Sequence, residues 1–166
     1  MEDSLKRHLR YQLCTIIAAL GAFAGTAQAA GIGTIQDVVN EGYRTPPGAD
    51  ERDARPADEV VQDEMLRTAD KSAISVKFVD GSELSVEALS EVVLSDYVYD
   101  GQASAGLINL NDGLFHFTSN GKNDQGVKLR TPIATIGIRG TEFLVHVNGT
   151  KATVVDILSG AVEAIP

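Results

Sequence analysis

From Ser72 onward the chain follows a two-residue rhythm. Ile74, Val76 and Phe78 alternate with Ser75 and Lys77, and Leu84 and Val86 with Ser85 and Glu87. Phe115 and Phe117 flank His116; Phe143, Val145 and Val147 alternate with Leu144 and His146; Val155 and Ile157 stand either side of Asp156. Between the runs fall Asp80-Gly81, Asp100-Gly101, Asp112-Gly113, Asn120-Gly121, Asn148-Gly149 and Ser159-Gly160. A period of two sorts side chains onto the two faces of a strand, and Asp-Gly or Asn-Gly supplies the positive φ of a tight hairpin. Upstream, Ile32–Val39 predicts one or two more strands, ended by Thr45-Pro46-Pro47-Gly48. Only Glu59–Ala69 reads as a helix. The pattern thus predicts an all-β domain of about ten short strands, a two-sheet β-sandwich or a short β-solenoid. No repeat of fixed period supports the solenoid.

The N-terminal segment has a different texture. Lys6, Arg7 and Arg10 precede an apolar run from Leu13 to Ala24, and Ala27-Gln28-Ala29 closes it. That is the order of a secretory signal peptide: basic residues, an apolar stretch, then small residues around a larger one. The run is shorter than the ~20 residues of a spanning helix. Residues 1–29 are therefore expected to be a signal-peptide helix cleaved after Ala29. An uncleaved anchor is the alternative, because Glu2 and Asp3 stand close to the start, and membrane contact is expected only in that case. Residues 30–166 form the mature domain, expected in the periplasm or secreted. Within it, 45–59 reads as an acidic, proline-bearing loop that cannot bury itself and lacks the spacing of a calcium loop.

At 166 residues the chain suits one domain. Removing residues 1–29 takes the 14 basic and 23 acidic side chains to 11 and 21, a net charge of −10. Such a surface repels phosphate backbones and argues against nucleic acid as a partner. The single cysteine, Cys14, lies in the apolar run. The mature domain is thus expected to have no disulfide, no thiolate nucleophile and no cysteine metal site.

Candidate chemistry is sparse. His116 and His146 are potential metal ligands, but no third ligand stands at suitable spacing, and their apolar neighbours predict that both point to solvent. Asp96 and Asp100 have the look of a glycosidase pair, yet their position beside a turn suits turn formation. No nucleophile elbow, Ser/His/Asp order or phosphate loop is present. No cofactor is expected, and an enzyme of unknown type ranks last among the functional readings.

The most informative stretch is Thr131-Pro132-Ile133-Ala134-Thr135-Ile136-Gly137-Ile138-Arg139-Gly140-Thr141-Glu142-Phe143-Leu144-Val145. It resembles the signature of FecR-type domains, T-P-x-A-x-x-G-[VI]-R-G-T-E-F-x-V. A strand and glycine turn follow at Thr153–Ile157 and Ser159–Val162, as the pattern implies. Asp63–Thr68, Asp80-Gly81-Ser82 and Leu110–Phe117 are similar to its upstream segments. The resemblance covers about Gly31 to Val162, with the acidic loop as an insertion. Its best-known members are periplasmic parts of regulators that couple outer-membrane iron transport to a sigma factor through one membrane span. Those members carry a helical cytoplasmic domain, whereas only twelve residues precede the apolar run here. The resemblance therefore implies a stand-alone exported member, without the sigma-regulating role.

The motif residues also have a reading of their own. Pro132 suits a strand start. Ala134, Ile136 and Ile138 are expected to point inward, and Gly137 and Gly140 permit a bulge or a close backbone approach. Thr131, Pro132, Gly137, Arg139, Gly140, Thr141, Glu142 and Phe143 are read as mainly structural. Arg139 is expected to be a buried clamp on Glu142 or Asp156, with contact to a carboxylated ligand or partner as the alternative. The leading functional expectation is a non-catalytic envelope module for protein binding or signalling, with strand addition to an exposed edge as one mode of binding. A glycan- or cell-wall-binding module is the second; Tyr97, Tyr99, Phe115 and Phe117 are its only clustered rings, and there is no Trp.

Overall fold

A computed structural model of the chain describes residues 31–120 and 126–166. The signal peptide, its cleavage point and the anchor alternative lie outside the described residues. Twelve strands and no helix occur among the described residues: β1 (Gly31–Val39), β2 (Gly42–Thr45), β3 (Arg52–Asp53), β4 (Glu59–Val61), β5 (Glu64–Thr68), β6 (Ala73–Phe78), β7 (Glu83–Val86), β8 (Glu91–Tyr99), β9 (Ser104–Thr118), β10 (Gly126–Arg130), β11 (Thr135–Asn148) and β12 (Ala152–Ile165). Hydrogen bonds join them all into one sheet. Its order is β3-β2-β5-β8-β9-β7-β6-β1-β4, with β10 and β11 added against β9 and β12 against β11. The result is a small closed barrel with extra strands. The all-β reading agrees with this. The arrangement of about ten short strands in a sandwich or solenoid does not.

The difference comes from two strands longer than the pattern suggested. β9 spans 15 residues and β11 spans 14. The first half of β9 lies antiparallel to β8 and parallel to β10, while its second half lies between β7 and β11. β11 likewise pairs with β10 through Thr135–Gly137 and with β9 through Glu142–Val147. Strands that bend and change neighbours turn the corners of a curled sheet. Each bend sits at a glycine with positive φ: Gly113 at 111° and Gly140 at 60°. At Gly113 a Cβ would also lie 2.1 Å from Ser90 Oγ, so any side chain is excluded twice over. Asp112-Gly113 thus supplies the positive φ expected of a hairpin but bends a continuing strand.

The helical reading of 59–69 is corrected in the same way. Val60, Glu64, Leu66 and Thr68 are buried, and Asp63 at φ 58° turns the chain between β4 and β5. From Glu64 onward the burial alternates in twos. The core gathers Phe115, Phe117, Phe143, Leu84, Leu110 and Ile136, all fully buried. Phe117 and Phe143 pack at 5.6 Å between ring centroids, and Phe78 stacks on Tyr97 at 4.3 Å. The acidic loop is solvated as expected, yet it is tied down. Ala54 is buried and donates its N–H to Gly42 O at 2.9 Å, and Arg67 holds Glu51 at 2.7 Å.

Arg44 on β2 draws the two ends of the strand order together. Its Nε donates to Glu64 Oε1 at 2.5 Å and its Nη2 to Glu64 Oε2 at 3.0 Å. The same Nη2 donates to the carbonyl of Glu59 on β4 at 2.7 Å, and Nη1 faces Asp58 at 3.2 Å. Glu64 Oε2 also accepts the Val61 N–H at 2.9 Å. Arg44 is 4% exposed and Glu64 is 0% exposed. Removing one member of such a pair leaves the other charge buried and unpaired. Arg44→Ala is expected to cost about 3–5 kcal/mol in urea unfolding, and Arg44→Met with Glu64→Leu to recover most of that loss. A wild-type midpoint for Arg44→Ala would contradict this role.

Candidate functional site

Thr131 caps the turn between β10 and β11. Its N–H donates to Ala134 O at 2.8 Å, and its Oγ1 accepts from Ala134 N at 3.1 Å and from Thr153 Oγ1 at 2.9 Å. Pro132 and Ile133 form the exposed tip, where the missing proline N–H costs no ladder bond. Along β11, Ile136, Ile138 and Phe143 are buried. The register shifts between Arg139 and Glu142, so the bulge that the glycines permit is formed here. Thr131, Pro132, Gly140 and Phe143 therefore shape the strand and its entry.

Arg139 does not act as the expected clamp. It is exposed and lies opposite Ala161 of β12. Alternation from buried Ile138 sends it outward before the bulge begins. It forms no ion pair with Glu142 or Asp156: Glu142 Oε1 meets His116 Nε2 at 3.0 Å, and Asp156 stands exposed opposite Leu144.

Arg139 instead borders a trough of about 640 Å³ lined by Lys128, Thr135, Gly137, Ala161 and Glu163 among others. Strand register explains the grouping. Lys128 pairs with Gly137 and Gly137 with Glu163, while Arg130 pairs with Thr135 and Thr135 with Ile165. Directly opposed residues share a face, so Lys128, Arg130, Arg139 and Glu163 all project from one side of β10–β11–β12. Among the described residues none of the three cations is in an ion pair. A small basic field thus stands on a strongly acidic chain.

The trough ends at an open edge. Among the described residues β12 is bonded to β11 alone. The other described strands with a single neighbour, β3 and β4, have two and three residues. β12 has 14. Val154, Ile157, Leu158 and Ile165 on it are 49–58% exposed. Ile157 lies opposite core residue Phe143, so the core side of this strand is left half uncovered. The alternation at Val155 and Ile157 predicted a strand here, but no local signal marks a strand as lacking a second neighbour.

The other candidates resolve differently. His116 lies opposite Leu144 and His146 opposite Leu114 on the outer face of the β9–β11 ladder, as their flanking residues predicted. Among the described residues no group of three His, Cys, Asp or Glu is placed to hold a metal. Asp100 Oδ1 accepts the N–H groups of Gln102 and Ala103, each at 2.8 Å. Those bonds hold its carboxyl below the usual range and make it a turn former. Of the four clustered rings, Tyr97, Phe115 and Phe117 are buried, so they offer no platform to a sugar.

Sequence reasoning missed Asp80, which read as a turn residue. It is 7% exposed. Its Oδ2 accepts from Tyr97 Oη at 2.8 Å, Ser104 Oγ at 2.5 Å and Ser82 Oγ at 2.9 Å, and its Oδ1 accepts from Ser82 N at 2.9 Å. Burial first, then the bond to Asp80, pushes the Tyr97 phenol far above its ordinary pKa. Asp80 thus ties the β6–β7 turn to β8 and β9.

Residues 64–163 match the family model described as FecR protein, and the chain belongs to that family. The matched segment starts at Glu64, so it includes the buried acid but not its partner Arg44. No curated protein matches the chain. A solved structure described as a cell surface anchoring domain is similar at 21% identity over 40% of this chain and 88% of that one, with a TM-score of 0.39.

An exposed Arg139 predicts that Arg139→Ala leaves unfolding stability within ~0.5 kcal/mol of wild type. Urea titration of the two proteins checks it. A loss of about 3 kcal/mol or more would restore the buried clamp.

Proposed function

We propose that this FecR-family chain is an exported, non-catalytic module of the cell envelope that binds a protein partner at the open edge of β12. The observation that carries the reading is the length and composition of that edge. Natural edge strands are blunted by shortness, lysine, proline or cover, because their free N–H and C=O groups invite pairing. β12 has no lysine, its only charges are Asp156 and Glu163, and its large apolar side chains face solvent. Main-chain pairing to such an edge supplies affinity, and pockets beside it supply choice of partner.

Two alternatives have less support. A glycan-binding role would want exposed rings, and Tyr99 alone of the clustered four is exposed. An enzyme would want convergent polar groups at a cleft, whereas buried Asp80 accepts four hydrogen bonds that tie strands together and Asp100 serves a turn. Export through residues 1–29 would bring the module to the periplasm or beyond, where binding a partner could relay a signal.

The test is site-specific photocrosslinking in cells, with a benzophenone side chain at Leu158 or, as a control, at exposed Val39 on β1. A discrete protein adduct is expected from Leu158 and not from Val39. Absence of adducts from both sites, with the chain sedimenting on purified cell wall, would replace this reading with the glycan one.

A further inference from the structure

We infer that the strand accepted by β12 is acidic: an extended peptide segment carrying a carboxylate opposite Ala161. The inference rests on the strand-addition reading and specifies the partner's chemistry. A strand added beside β12 would stand two strand spacings from β11, roughly 10 Å. At the Arg139 row only the methyl group of Ala161 lies between. The Arg139 guanidinium and a Glu side chain can therefore meet above Ala161 from either side. One row along, the side chain nearest the incoming strand is Glu163, and Gly137 behind it leaves Lys128 free to lean toward that carboxylate. The edge thus favours an acid opposite Ala161, while Lys128 balances the carboxylate of the Glu163 row.

Charge also argues against the nearest competitor, a second copy of this chain. The whole sequence carries a net charge of −9, so two copies repel at long range. A short acidic segment of another protein meets the local field of Lys128, Arg130 and Arg139 and, carrying far fewer charges than a second copy, feels much less of that repulsion.

The experiment measures binding of fluorescent nine-residue alternating Thr/Val peptides to the full chain by anisotropy. One peptide has a central Glu, one a central Gln, and a third is the Glu peptide N-methylated at alternate residues. The Glu peptide is expected to bind about fivefold more tightly than the Gln peptide at low salt. Arg139→Ala should bring that ratio close to one, and N-methylation should abolish binding because the ladder cannot form. Equal binding of Glu and Gln peptides, still blocked by N-methylation, would overturn the acidic preference while leaving strand addition intact. Failure of every peptide to bind would overturn both. Alginate displacing the Glu peptide, with the N-methylated peptide binding undiminished, would assign the trough to anionic polymers instead. A chain that is dimeric by sedimentation and becomes monomeric with Arg139→Glu would place a second copy on the edge and overturn the proposal.

Discussion

The fold depends on closing a curled sheet whose end strands are too short to close it by backbone pairing alone. β3 and β4 contribute five residues between them, so a side chain performs the closure. The Arg44 fork reaches Glu64, Asp58 and the Glu59 carbonyl at once. Both charges are removed from water, a cost that good geometry and further hydrogen bonds must offset. The arrangement meets that demand: Glu64 also takes the Val61 N–H, and Arg44 takes a carbonyl. Asp80 plays a parallel part at the β6–β7 turn, where one carboxylate collects hydroxyls from Ser82, Tyr97 and Ser104.

Closure in this manner decides what is left open. β9 is shared between the barrel and the β10–β11 addition, and bending at Gly113 lets its two halves serve different neighbours. β11 repeats the device at Gly140. β12 then lies outside the closed part, with one neighbour and no strand beyond it among the described residues. The open edge is therefore a by-product of how the barrel is sealed. The motif around Arg139 divides along the same line: Thr131, Gly140 and Phe143 shape the strand, while Arg139 faces outward beside the edge.

Much of this was legible in the sequence, and what was not has physical reasons. Alternation placed Phe115, Phe117, Phe143 and Val145 on the core side because burial follows strand period directly. Asp112-Gly113 announced a positive φ, but a dipeptide does not say whether the next segment returns beside the last one or runs on. Glu64 drew no notice beyond its place in the Asp63–Thr68 segment, since its partner lies 20 positions earlier. Asp80 looked like any Asp-Gly turn, because its burial is imposed by Tyr97 and Ser104 from other strands. Arg139 was misjudged by assuming that a motif arginine must be held by its own neighbours. Long-range pairing, which decides each of these cases, leaves no local trace.

The proposed strand addition requires β12 to be an unpaired edge in solution. Amide hydrogen exchange on the full chain, at a concentration where it is monomeric, reads that edge residue by residue. In residues 152–165 about half the amides are expected to exchange at nearly unprotected rates, because they point away from β11. Amides of β9, and of the two β11 segments that lie between neighbours, Thr135–Gly137 and Glu142–Val147, should be protected far longer. Uniform slow exchange along 152–165, matching that of those β11 segments, would mean that the edge is already covered and that no strand can be added there.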